Sequence, residues 1–148
     1  MANQNHLYIL KQGISYWNRW RQDNPTIQPD LSKTRLEGMN LSVGNFSQAN
    51  LSYTNFTGAN LTGAIFRDAK LTIANLSFTN LVNADLSNAD LTGADLTNSD
   101  LKGANLSHAN LKIAKFNGSD TRGINLGGAS LDGTIGITNK KNRWNPFS

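Results

Sequence analysis

The sequence contains no cysteine, so neither a disulfide nor a thiolate metal site holds this fold together, and cysteine usage leaves the compartment undetermined. No apolar run approaches the roughly 20 residues that a membrane-spanning helix needs. The first 20 residues lack the continuous apolar core of a secretory leader. The lack of a span and of a leader predicts a soluble, cytoplasmic protein with its N-terminus retained. Histidine is scarce, occurring only as His6 and His108. No phosphate-binding loop, dinucleotide fingerprint or zinc-ligand spacing is present. A nucleophile needs a base within hydrogen-bond reach and a group that orients it, and no such set can be assembled from these residues. The expectation is a protein that is not an enzyme and that carries no cofactor and no metal.

What the sequence has is a period. From Leu31 to Leu131 a large apolar residue returns at every fifth position, leucine at most of them and phenylalanine at Phe46, Phe56, Phe66 and Phe116, with Thr121 the single exception. An internal period has to be read before any propensity argument. On an α-helix five residues advance the direction by about 140°, so the leucines would scatter around the cylinder. On a flat strand an odd repeat would send successive leucines to opposite faces. A short extended segment followed by a turn, once per pentad, remains, and the chain must coil.

Two positions before each large residue stands a small one, alanine in most pentads from Ala49 to Ala129. Residues two apart on an extended segment share a face, so each pentad turns one large and one small side chain inward and fills a narrow tube. Between them sit Asn or Asp, as at Asn55, Asp90 and Asn105, which the alternation directs to solvent. After the large residue comes Ser or Thr and then often glycine, as at Gly58, Gly93 and Gly103, a choice that suits a turn with positive φ.

Runs such as Ala89-Asp90-Leu91-Thr92-Gly93 and Ala104-Asn105-Leu106-Ser107-His108 resemble the pentapeptide repeat family. The resemblance spans residues 29–133. It implies an all-β solenoid, a right-handed quadrilateral β-helix with four pentads per coil, a 20-residue register and about five coils. The segment Tyr16-Trp17-Asn18-Arg19-Trp20-Arg21 ahead of the repeats is similar to members of cyanobacterial type.

Three segments follow. Residues 1–28 form a cap and connector: Leu7, Leu10, Ile14 and Trp17 fall at helical spacing, with Ile9, Tyr16 and Trp20 broadening the face. An amphipathic helix over 6–22 would cover the bare leucines and unpaired backbone groups at the end of a β-helix. Residues 29–133 form the rod, and residues 134–148 a basic tail. In the tail Ile135, Ile137, Trp144 and Phe147 lie among polar and basic residues. They cover the last coil, join two rods end to end as a homodimer, or belong to a mobile tail.

Formal charge is +4 overall, with +2 on residues 1–28, +3 on 134–148 and −1 on the rod. Some members of the family resemble duplex DNA in size and charge and inhibit DNA gyrase. Such mimicry requires a strongly negative surface, which this rod does not have. Direct nucleic-acid binding would rest on Arg19, Arg21, Lys140, Lys141 and Arg143, too few to carry it. The first reading is a rigid scaffold for a protein partner, and a DNA-mimic inhibitor of DNA gyrase or of another DNA-binding protein is the alternative.

In the 20-residue register Lys70 lies beside Asp90, Asp95 beside Lys115, and Asp100 beside Asp120 with Lys102 and Arg122 on the same face. The pair Asp100 and Asp120 reads as a compensated surface charge ladder in preference to an acid/base pair. Asp85, Asp90, Asp95 and Asp100 occupy four successive sides and do not converge on a metal. The informative departures from polarity are Tyr53, Ile73 and Ile113, which share one outward edge; Phe78, Val43, Val82 and Ile65 lie on others. An aligned apolar set marks an interaction surface, and Tyr53, Ile73 and Ile113, with Trp144 and Phe147 of the tail, are the candidate contact residues.

Overall fold

A computed structural model describes residues 1–137. From Asp30 onward the chain winds into a four-sided β-helix in which each side is paired in parallel with the side 20 residues later, the first pair being Asp30 with Asn50 and the last Lys115 with Ile135. Each pentad of the inner coils donates three backbone hydrogen bonds to the coils on either side. In the pentad of Leu71, Lys70 N–H donates to Ala49 O at 2.9 Å, Leu71 N–H to Asp90 O at 2.7 Å and Ile73 N–H to Thr92 O at 2.9 Å. A fourth bond closes the turn, Ala74 N–H to Leu71 O at 3.0 Å. With about 4.8 Å between coils, the rod is about 25 Å long.

The large residues from Leu31 to Phe116 and their alanine partners are buried. Where the small inward residue is Ser or Thr, its hydroxyl is satisfied by the turn: Thr79 Oγ1 donates to Leu76 O and Ser99 Oγ to Leu96 O, both at 2.6 Å. Thr121, which breaks the leucine row, is itself buried, and the next small position holds the buried Ile124. Volume missing at Thr121 is restored three residues later, and the coil continues.

Asn and Asp between the small and large residues face outward as expected, but they also do structural work. Asn55 Oδ1 accepts from Thr57 N–H at 3.0 Å and Thr57 Oγ1 at 2.6 Å, and Asp90 Oδ1 does the same for Thr92. This is the local bonding that Asn and Asp favour in turns, and it explains why Ser or Thr follows two residues on.

The cap differs from the single helix expected over 6–22. Two helices form, α1 (Gln4–Lys11) and α2 (Ile14–Asp23). They are parted at Gly13, whose φ of 121° and ψ of 162° suit a residue without Cβ. The break rotates the apolar face: Leu10 and Trp17 are buried, whereas Tyr16, expected on the buried side, is exposed. Aromatic contact runs from cap into rod, from Trp20 to Trp17 at 5.2 Å, Trp17 to Phe46 at 5.6 Å and Phe46 to Phe66 at 5.3 Å between ring centroids. Gly44 lies at this junction, where a Cβ would meet Phe46 Cε2 at 2.5 Å and Ile14 Cδ1 at 2.6 Å. At the far end Ile137 packs against the core and Ile135 points outward. Trp144, Phe147, Lys140, Lys141 and Arg143, and with them the end-to-end homodimer, lie outside the described residues.

Candidate interaction edge

Every corner of the rod bends through a residue with positive φ. Glycine fills some corners, but twelve are occupied by other residues, among them Val43, Tyr53, Ile73, Phe78 and Ile113. On the edge expected from the register the residues run Lys33, Tyr53, Ile73, Gly93, Ile113 and Gly133. Tyr53 is 54%, Ile73 50% and Ile113 59% exposed. They form one ridge: a Cβ placed on Gly93 would lie 3.3 Å from Ile73 Cγ1 and 3.8 Å from Ile113 Cδ1, so the two isoleucines lean over the glycine between them. Lys33 Nζ sits 5.9 Å from the centroid of the Tyr53 ring, within cation–π range.

The backbone under the ridge is strained. Ile73 has φ 56° and Ile113 φ 53°, in the left-handed region that β-branched residues avoid. The penalty is roughly 1–2 kcal/mol per L-residue. These side chains point outward and leave half or more of their surface to solvent. The other outward apolar residues do not continue one another: Val43 shares its edge with Gly63 and Phe78 with Gly58.

Several charged residues of the rod are compensated locally. Arg122 holds Asp120 in a two-pronged pair, with Nη2 to Oδ2 at 2.6 Å and Nε to Oδ1 at 2.9 Å, and draws that carboxyl down to about 2. Lys102 lies 3.3 Å from Asp100. The Asp100 and Asp120 carboxylates, one coil apart, each have their own cation. Arg67 pairs with Asp85 across adjacent coils at 2.5 Å; burial pushes the Asp85 carboxyl up, but Ser87 and Arg67 bonds outweigh it and the net shift is downward. Lys70 pairs in register with Asp90 and Asp95 with Lys115. Among the described residues no group of three or more His, Asp or Glu side chains converges as metal ligands would, and His108 lies over Gly128 at an outward corner. A shallow cavity of about 160 Å³ at the far end is lined by Leu131, Thr134, Gly136 and Ile137, with no titratable group.

The described repeats match the model of pentapeptide repeats, in eight copies over residues 30–68 and 69–107. The chain belongs to the pentapeptide repeat family. Its β-helix is the right-handed quadrilateral one of that family. A pentapeptide repeat protein from the cyanobacterium Cyanothece 51142 is 31% identical with a TM-score of 0.60, over 80% of this chain and 97% of that one. One from the thylakoid lumen of Arabidopsis thaliana is 36% identical, TM-score 0.43, over 64% of this chain and 66% of that one. HetL of Nostoc sp. strain PCC 7120, a pentapeptide repeat protein involved in heterocyst differentiation regulation, is 29% identical, TM-score 0.36, over 76% and 63%. No curated protein is significantly similar to the chain. Among the described residues no helix is long and apolar enough to cross a membrane.

Polar joints hold the cap of this pentapeptide repeat protein, and the hydrophobic pattern did not disclose them. Asp30 N–H donates to His6 Nδ1 at 3.0 Å. Asn18 bridges Val43 O and Asn45 N–H, and Trp17 Nε1 donates to Asn45 O at 2.8 Å. Arg21, buried, spans Ile27 O and Ser47 O. Burial lowers the His6 pKa, Asp30 opposing and Arg21 reinforcing the shift. Burial likewise lowers that of Arg21. Only an amphipathic period was legible there, because a polar residue within an apolar face carries no period of its own.

Proposed function

We propose that this protein is a non-catalytic scaffold that engages a protein partner through the edge formed by Tyr53, Ile73 and Ile113. The reading is carried by one observation: β-branched residues occupy left-handed corners while more than or about half exposed. Glycine, at no steric penalty, fills positions 93 and 133 of the same edge. Strained backbone is characteristic of sites whose purpose lies outside the fold. An aligned exposed apolar set is characteristic of contact surfaces. A rigid solenoid with several of its charges locally paired presents such a ridge without conformational change.

The test is capture of interacting proteins from the source cell by the wild type, Ile73→Glu and Ile113→Glu, with circular dichroism to establish folding. Loss of the same partner from both variants, at least about tenfold as for a central contact, is expected. Equal retention by all three proteins refutes the reading.

A further inference from the structure

The two-helix cap covers the apolar end of the rod but fewer than half of the groups on its hydrogen-bonding rim. In every later coil the N–H of the residue before the large one donates to the coil above. The carbonyls on either side of the large residue accept from that coil: Asn50 O from Leu31 N–H, and Ser52 O from Lys33 N–H. In the first coil these groups face the cap. On its first and fourth sides all but the Ser32 carbonyl are taken: Asp30 N–H by His6, Asp30 O by Asn3 N–H, Asn45 N–H by Asn18, Asn45 O by Trp17 and Ser47 O by Arg21. On the second and third sides the N–H groups of Arg35 and Asn40, and the carbonyls of Arg35, Glu37, Asn40 and Ser42, have no partner among the described residues. Exposure follows largely the same division: Arg35, Glu37 and Asn40 are exposed and Ser42 half-buried on the open sides, whereas Asp30, Asn45 and Ser47 are half-buried. The Glu37 side chain does not shield this rim, since it accepts from Asn55 Nδ2 at 2.8 Å on the coil below.

We propose that residues 34–42 are a docking edge for an extended segment of a protein partner, which adds to the first coil as a parallel strand on its second and third sides. The free donors and acceptors repeat the pattern by which each coil holds the next, so a strand is the backbone form they fit. The cap selects the occupant. A helix is about 10 Å across, so α1 and α2 stand above the rim and hold off the end of a second rod. A single strand, about 4.8 Å from its neighbour, fits beside them. Leu36 and Leu41 are already covered, so the inward residues of the incoming segment must be small. This edge is separate from the Tyr53, Ile73 and Ile113 ridge and stands whether or not that ridge binds.

The probe is the peptide Thr-Asn-Ala-Thr-Gly-Ala-Asn-Ala-Thr, which is residues 54–62 with alanine at the two large inward positions. It is titrated into isotopically labelled full-length protein and followed by amide chemical shifts and hydrogen exchange. Saturating shifts over residues 34–42, with at least about tenfold slower exchange at the Arg35 and Asn40 amides and none at Tyr53, Ile73 or Ile113, are expected. Arg35→Pro removes a donor that makes no internal bond and abolishes the response, Arg35→Ala retains it, and Ile73→Glu leaves it unchanged. Absence of shifts at 34–42, an equal response in folded Arg35→Pro, or concentration-dependent shifts there without peptide, which would make a second copy the occupant, overturns the proposal.

Discussion

Cap and rod are held by opposite means. In the rod the bonds that recur from coil to coil are backbone to backbone, so a side chain leans on like neighbours above and below. In the cap the joints are made once and, apart from Asn3 N–H to Asp30 O, by particular side chains: Trp17 to Asn45, Asn18 to Val43 and Asn45, Arg21 to Ser47, His6 to Asp30. Redundancy makes the rod tolerant of local change. The cap depends on a few residues that no repeat can replace.

The sharpest break of that comparison is Trp17→Ala set beside Leu91→Ala. Both side chains are fully buried. Trp17→Ala removes a large ring and an indole donor, at about 3–5 kcal/mol, and Leu91→Ala about 2–5 kcal/mol. Trp17→Ala is expected to release the cap first, so that tryptophan fluorescence melts below far-ultraviolet dichroism. Leu91→Ala is expected to lower both signals together. Coincident melting in Trp17→Ala would show that cap and rod are one cooperative unit.

A milder break is acid. The folded pKa of His6 lies below its ordinary 6.5. Between 6.5 and the folded value, the unfolded chain therefore binds a proton that the folded cap does not. Stability is fully present above 6.5 and declines as pH falls through that window. Protonation also removes the acceptor at Nδ1 that holds Asp30 N–H. Melting of the tryptophan signal is expected to fall from pH 7.5 to pH 5.5 in the wild type and to stay level in His6→Gln; the same slope in both would remove His6 from the account.

The smallest effect separates corners from core. Ile73→Asn relieves a β-branched residue from φ 56° and is expected to stabilise the rod by up to about 1 kcal/mol, since Asn tolerates the left-handed region, while it weakens partner capture. Denaturant midpoints measure the first effect, and a destabilised Ile73→Asn would mean that the ridge is itself part of the packing.

Much of this molecule was legible in one dimension because a period is a local property. The inward residues, the coiling and the shared edge of Tyr53, Ile73 and Ile113 follow from counting positions once the register is 20. The register came from family resemblance, since a period of five does not say how many pentads close a coil. Thr121 and Ile124 depart from the pattern together, a small residue at a large position and a large one at a small position, and both are buried. The helix break at Gly13 was hidden because the apolar spacing reads through it.

The order of residues alone therefore determined a narrow tube filled by one large and one small side chain per pentad, which water expels from solvent wherever they recur. Tertiary structure decided where the two helices settle and which part of the first coil's rim they leave open. It also decided how neighbouring corner side chains merge into one ridge. Those outcomes depend on contacts between residues 20 or more apart in the chain, and no local pattern contains them.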